Sequence, residues 1–381
     1  MKKIKGFTKN ITKKQIILST IFGISLLLFL VMQILSLYLQ NSLTTQQMAK
    51  RWDPSGKSAQ VSCFISENAQ ITVQQLTNLE HAVDAALTEV SITKESETAR
   101  LWADAYSARG ELTVESEKTS VTSTAIGVGG DFFLFHPLKL LSGSYFSDED
   151  IMQDYIILDE DAAWQLFGSN DVAGMQVMIK GIPHIVRGVV ERGSGRMNDK
   201  AGNDKVTFYV SYDSLSKYGI SKGINAYEIV MPNPISGFAL STVKEKIGLD
   251  ESTIQVVENS KRYSLFSLVG VLSEYSIRSM NHKAIVYPYW ENVARGYEDI
   301  LATLLLLKFI LLFIPAIILL AYIIYRYRHR TWNMKILLQS GIEWKEKLMI
   351  NYQNRDKTKK KISFHTKRKN IKSFFKNKVD K

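Results

Sequence analysis

The chain has 381 residues, 45% of them hydrophobic and 10% aromatic, which is enough for a packed core and excludes a disordered polymer. Its formal charge of +11 has the sign of a nucleic-acid binder, but the charges are unevenly placed. Residues 1–15 hold six lysines and no acid, residues 326–381 sum to +14, and the stretch between carries a net −9. Basic flanks around an acidic body are what the positive-inside rule leaves when the flanks stay in the cytoplasm and the body is exported.

After the basic residues 1–15, the run Ile16 to Leu39 contains no charged side chain. At 1.5 Å per residue it exceeds a hydrocarbon core of roughly 30 Å. It is too long for the apolar segment of a signal peptide, and no small-x-small site closes it. The only cysteine, Cys63, lies well beyond it and has no internal disulfide partner, so the exported body is expected to rest on its core.

Val61 to Ser66 alternates as a strand, and Thr72 is placed to cap a helix with Val73, Leu76, Leu79, Val83, Ala86, Leu87 and Val90 on its apolar face. Two strands follow, Leu101 to Ser107 and Glu111 to Glu117, with a turn expected at Gly110. The cluster Gly127-Val128-Gly129-Gly130 reads as a flexible hinge. Residues 121–210 read as an insertion. In it a strand from Tyr155 to Leu158 precedes Asp159, the expected N-cap of a helix from Glu160 to Phe167 that Gly168 stops. The strands Gln176 to Ile179 and His184 to Val190 flank a Lys180-Gly181 turn. The β-α-β order then returns: a strand Tyr227 to Met231, a helix Phe238 to Ile247 and a strand Thr253 to Val257. Two such units predict an α+β domain of split βαβ type with an inserted, mostly β subdomain.

A second apolar run, Leu301 to Tyr325, is interrupted only by Lys308, which can snorkel to the outer interface, and Pro315 in its middle predicts a kink. The expected organisation is a basic N-terminus (1–15), a first transmembrane helix (16–39), an extracytoplasmic domain (40–300), a second transmembrane helix (301–325), a cytoplasmic amphipathic helix (326–350) and a basic tail (351–381). That is a multi-pass protein of the cell membrane with both termini cytoplasmic.

The run from Pro137 to Val190, "LKLLSGSYFSDED", "ILDEDAAWQLFG" and "DVAGMQVMIKGIPHIVRGVV", resembles the extracytoplasmic core domain of MacB-type and FtsX-type ABC transporter permeases. That family has a G-x-x-F turn, a strand, a helix ending L-F-G, a D-x-x-G turn and a strand ending V-x-G-V-V, in this order. More loosely, the resemblance extends over Ser62 to about Glu258. It implies a porter-like α+β subdomain carrying an inserted β subdomain, and a function in passing ATP-driven movement from a cytoplasmic ATPase to the external domain. The segment Trp332 to Leu348 is similar to the family's cytoplasmic helix that touches the ATPase, with Ile336, Leu337, Gly341 and Trp344 at the matching places. An interfacial helix anchored by Trp332 and Trp344 is the alternative.

Permeases of this family carry four transmembrane helices, and two are expected here. Either a second permease chain supplies the others, or the chain is a short variant that regulates a transporter, or it is a truncated relic. A membrane-anchored sensor or binding module is the competing functional reading.

No G-x-x-x-x-G-K-[ST] occurs, so an ABC ATPase subunit is expected in trans. The six histidines show no ligand spacing, and the acidic groups Asp148-Glu149-Asp150 and Asp159-Glu160-Asp161 lack a calcium-loop frame. Four S-x-x-K matches are chance in a chain this rich in Ser and Lys. No catalytic, cofactor or metal site is therefore expected. The tail residues Lys359, Lys360, Lys361, Lys367, Arg368 and Lys369 have the composition of a nucleic-acid arm. Their place just inside a membrane makes anionic lipid the expected partner instead of nucleic acid.

Overall fold

The computed structural model describes residues 13–94, 96, 99–148, 150–278, 284–329, 341–347 and 349–350. In chain order these form α1 (Lys13–Ser42), a 3₁₀ turn (Thr44–Gln46), α2 (Met48–Trp52), β1 (Ser58–Ile65), α3 (Val73–Glu89), β2 (Ala103–Glu115), β3 (Ser120–Gly130) and α4 (Phe132–Phe135). Next come β4 (Leu140–Gly143), β5 (Tyr155–Asp159), α5 (Glu160–Phe167), β6 (Gln176–Ile179), β7 (Ile182–Val190), α6 (Arg196–Lys200), β8 (Thr207–Ser211) and α7 (Tyr212–Tyr218). The chain continues through β9 (Ile220–Ser221), β10 (Ala226–Pro232), α8 (Phe238–Lys246), β11 (Ile254–Glu258), a second 3₁₀ turn (Asn259–Lys261), α9 (Leu265–Ser273) and α10 (Tyr289–Arg328). It divides into two units, residues 24–312 and residues 1–23 with 313–381. The described parts of the second unit are helical.

One eleven-stranded sheet runs in the order β11-β1-β10-β2-β3-β8-β5-β7-β4, with β6 and β9 off this path. At one end, β1-α3-β2 and β10-α8-β11 interleave, each pair of outer strands straddling a strand of the other unit. This is the split βαβ arrangement expected from the sequence. The period of two in β1 and β10 sorts their side chains between the faces. Ala59, Val61, Cys63, Ile65, Tyr227, Ile229 and Met231 pack beneath α3 and α8. Phe64, Ala226 and Val230 join a separate cluster on the opposite face. At the other end β3 pairs in parallel with β8, so the insertion prolongs the same sheet, and its β5, β6, β7, β8 and α5 close a third cluster.

The caps follow the sequence. Thr72 and Gln75 form a reciprocal capping box at α3. Asp159 accepts from the Ala162 amide at 2.7 Å, and Gly168 ends α5 with φ +75°. Val73 and Val90 of the expected apolar face of α3 are exposed.

Two local expectations are corrected. Gly110 makes no turn: β2 runs straight through it and the hairpin turns at Ser116–Thr119, where the Ser116 amide donates to the Thr119 carbonyl at 2.8 Å. Gly110 lies where β9 crosses, and a Cβ there would stand 2.6 Å from the Ile220 carbonyl oxygen. The glycines at 127–130 form the end of β3 and no hinge; a Cβ on Gly129 would enter the Tyr106 ring. Both signals were glycines kept for close packing inside strands. The helix carrying the second apolar run also begins about three turns earlier than the run, at Tyr289, and continues through Pro315.

Asp104, at the start of β2, is buried, and its carboxyl is pushed up to about 7, first by desolvation and then by the like charge of Glu80 on α3. The folded chain therefore holds a proton that the unfolded chain releases near pH 4, so stability falls as pH rises from about 4 to about 7. Asp104→Asn is expected to remove this group's share of that slope in thermal unfolding series, most visibly above about pH 6, by an upper bound of about 4 kcal/mol summed up to pH 8. The lower part is retained by Asp159, which burial pushes up to about 6.

Candidate functional site

The residues between β11 and the second apolar run held no motif in the sequence, yet those described build a connected, buried polar site. Arg262, which follows the second 3₁₀ turn, is buried. Its guanidinium forks onto Glu291 of α10, Nη1 donating to Oε2 and Nη2 to Oε1, both at 2.6 Å. Nε donates to Glu298 Oε1 on the same helix, and Nη1 also reaches Gln46 Oε1 at 3.2 Å in the turn after α1. Glu291 and Glu298 stand seven residues apart, two helical turns, so both face one side of α10. Glu298 also pairs with Arg278, whose Nε lies 2.8 Å from Asp299 Oδ1.

The network continues into the sheet. Arg262 Nη1 lies 3.4 Å from Asn259 Oδ1, and Asn259 Nδ2 donates to Ser62 Oγ at 2.7 Å. Ser62 Oγ donates to Glu228 Oε1 at 2.6 Å, and Glu228 Oε2 meets His136 Nε2. Ser62 and Glu228 project from β1 and β10 on the face opposite α3 and α8. Gln60, on that face too, accepts from the Met48 amide at 3.0 Å and donates to the Thr45 carbonyl at 2.8 Å, which ties the exit of α1 to β1. Burial alone would raise the Glu228 carboxyl, but His136, Ser62 and Arg262 outweigh it and hold the group below the usual carboxylate range. Burial likewise opposes the Arg262 charge, and Glu291 overcomes it.

Aromatic packing surrounds the polar chain. Trp290 at the start of α10 lies 4.4 Å from the His136 ring and 5.7 Å from Phe132, and Phe64 meets Tyr287 edge-on at 5.4 Å. The first turns of α10 are thus embedded in the domain. Further along, Lys308 Nζ donates to Gln33 Oε1 at 3.1 Å and Ser25 Oγ to the Leu311 carbonyl at 2.5 Å, so α1 and α10 run antiparallel over these residues. Buried hydrogen bonds and ion pairs thus join the start of α10 to the sheet.

Of the residues singled out from sequence, Gly341 and Trp344 lie in a helical stretch at 341–347, both exposed. Trp332, Ile336 and Leu337 lie outside the described residues, as do Lys359, Lys360, Lys361, Lys367, Arg368 and Lys369. Among the described residues no group of three His, Cys, Asp or Glu side chains is placed to hold a metal ion. Arg262, Glu291, Glu298, His136 and Glu228 were missed. Their one sequence signal was the seven-residue spacing of two glutamates just ahead of an apolar run.

Breaking a buried ion pair from one side leaves an uncompensated charge. Arg262→Met is expected to cost about 3–5 kcal/mol in thermal or denaturant unfolding. Arg262→Met with Glu291→Leu should recover part of that loss, because Glu298 keeps Arg278.

A family model described as the MacB-like periplasmic core domain matches residues 17–248. The macrolide export ATP-binding/permease protein MacB of Chromobacterium violaceum is 33% identical over 87 residues, 22% of this chain and 14% of that protein. The chain thus matches a small part of that relative's length. Among solved structures, the periplasmic region of MacB from Actinobacillus actinomycetemcomitans aligns with a TM-score of 0.36 and 14% identity, over 58% of this chain and 94% of that one. The extracellular domain of the ABC-type transporter YknZ from Gram-positive bacteria aligns with a TM-score of 0.32 and 19% identity, over 52% and 99%. Two helices long and apolar enough to cross a membrane, Ile16–Ser42 and Tyr289–Arg328, flank the sheet, an arrangement that fits an inner membrane protein. With the family model matching well over half of its length, the chain belongs to the MacB-like periplasmic core domain family.

Proposed function

We propose that the chain is a permease component of an ABC transporter of MacB/FtsX type, which carries ATP-driven movement from a separate cytoplasmic ATPase to its extracytoplasmic domain in an export or envelope process. Family membership supports the class. The observation that supports the mechanism is the buried fork of Arg262 on Glu291, continued by Glu298. A helix that tilts in the bilayer cannot leave its domain behind without stranding buried charges, so tilt at α10 becomes rotation of the sheet.

In this reading the basic ends lie in the cytoplasm and the sheet outside. The antiparallel course of α1 and α10 agrees with this, since it returns the chain to the side it left. The segment Trp332 to Leu348 receives the ATPase, with Ile336, Leu337, Gly341 and the exposed Trp344 as its contact residues. A second permease chain supplies the companion helices. The tail from Lys359 to Lys361 and Lys367 to Lys369 holds anionic lipid, at about 1 kcal/mol per basic residue.

The test is co-purification of the full chain with its ATPase after mild solubilisation. Trp344→Ala is expected to weaken the association about 30-fold, the effect of losing an anchor worth about 2 kcal/mol. A chain that binds no ATPase, or binds it equally well as Trp344→Ala, contradicts the proposal.

A further inference from the structure

Helix α9 is apolar on both sides. Leu268 and Val271 face inward and share a buried cluster with Leu301, Ala302 and Leu305 of α10, against which Leu39 of α1 also packs. Those are the first residues of the second apolar run and the last of the first, so α9 sits at the level where the first run ends and the second begins. Its other side carries Leu265, Phe266 and Val269, exposed at 50%, 86% and 44%. No charged side chain occurs from Tyr263 to Ser273, whereas Lys261, Arg262 and Glu274 bracket the segment. A water-facing helix in this acidic body would carry charge on its outer side.

We propose that α9 lies flat in the outer leaflet of the bilayer, with Leu265, Phe266 and Val269 among the lipid acyl chains and Lys261 at the headgroups. The occupant of this face is lipid because the face is continuous with the surface of two membrane-spanning helices. Tyr38 at the end of α1 and Tyr275 just after α9, both exposed, stand where an interfacial aromatic belt belongs. An apolar helix packed on α10 and held by lipid fixes the height of Arg262, three residues ahead of it, relative to the membrane. The inference goes beyond the permease reading and requires only that α1 and α10 cross the bilayer.

The experiment uses the full chain in nanodiscs of phosphatidylcholine brominated on the acyl chains. In a Cys63→Ala background, which removes the buried native thiol, single cysteines at Phe266→Cys or Leu265→Cys carry an environment-sensitive fluorophore. Two control positions accompany them: Ile310→Cys in the span, and Ile220→Cys, an exposed apolar residue of β9 that pairs with Glu111 towards the far end of β2. The Phe266 and Leu265 probes are expected to lose most of their emission, as the Ile310 probe does, while the Ile220 probe keeps its own. Unquenched probes on α9 beside a quenched Ile310 probe overturn the proposal and leave the permease reading intact. Probes that are blue-shifted but unquenched reveal a protein neighbour and overturn it too. An unquenched Ile310 probe overturns both.

Discussion

The guanidinium of Arg262 decides how this protein is put together. It is buried at the base of the sheet and satisfied by two glutamates from one helix, by Gln46 from the turn after α1 and by Asn259 from its own turn. Such a group is weak evidence for stability, since an apolar replacement of the whole network can do as well. What it supplies is a unique geometry. An apolar contact between α10 and the sheet tolerates sliding by a side chain's width, whereas a forked carboxylate pair has one position.

That constraint explains the unequal faces of the α+β end. The face under α3 and α8 is mostly aliphatic, with Tyr227 and the buried Asp104 set into it. On the other, β1 and β10 present Ser62 and Glu228, which lead from His136 beside Trp290 to Arg262. The polar residues of two central strands are therefore spent on the junction with the membrane helix. Under the proposed function, a stiff connection at this point passes motion on, where a compliant one would absorb it.

Much of the fold was legible in the sequence because its signals are local. Thr72 with Gln75 and Asp159 with Gly168 fix helix ends through neighbours three to nine residues away. The interleaved βαβ units follow from periodicity, and the motif order from Pro137 to Val190 pointed to the family that the comparison bears out. What failed was nonlocal. Gly110 and Gly129 are glycines because of Ile220 and Tyr106, brought against them by strand pairing that no window of sequence contains. The junction failed for the same reason: Arg262, Gln46, Glu291 and Glu298 come from three separate stretches, and each alone reads as a polar surface residue. An apolar run does not mark where its helix begins, so the helical turns from Tyr289 to Ile300 were not legible.

The central claim is that those turns of α10 and the strands β1 and β10 form one cooperative body. Hydrogen exchange of the full chain in nanodiscs, read by mass spectrometry over residues 290–300, measures it most directly. A rigid junction predicts that these amides exchange as slowly as those of β1 and β10 and open together with them. Amides at 290–300 that exchange many-fold faster, with the sheet still protected, would show that the helix opens on its own and contradict the claim.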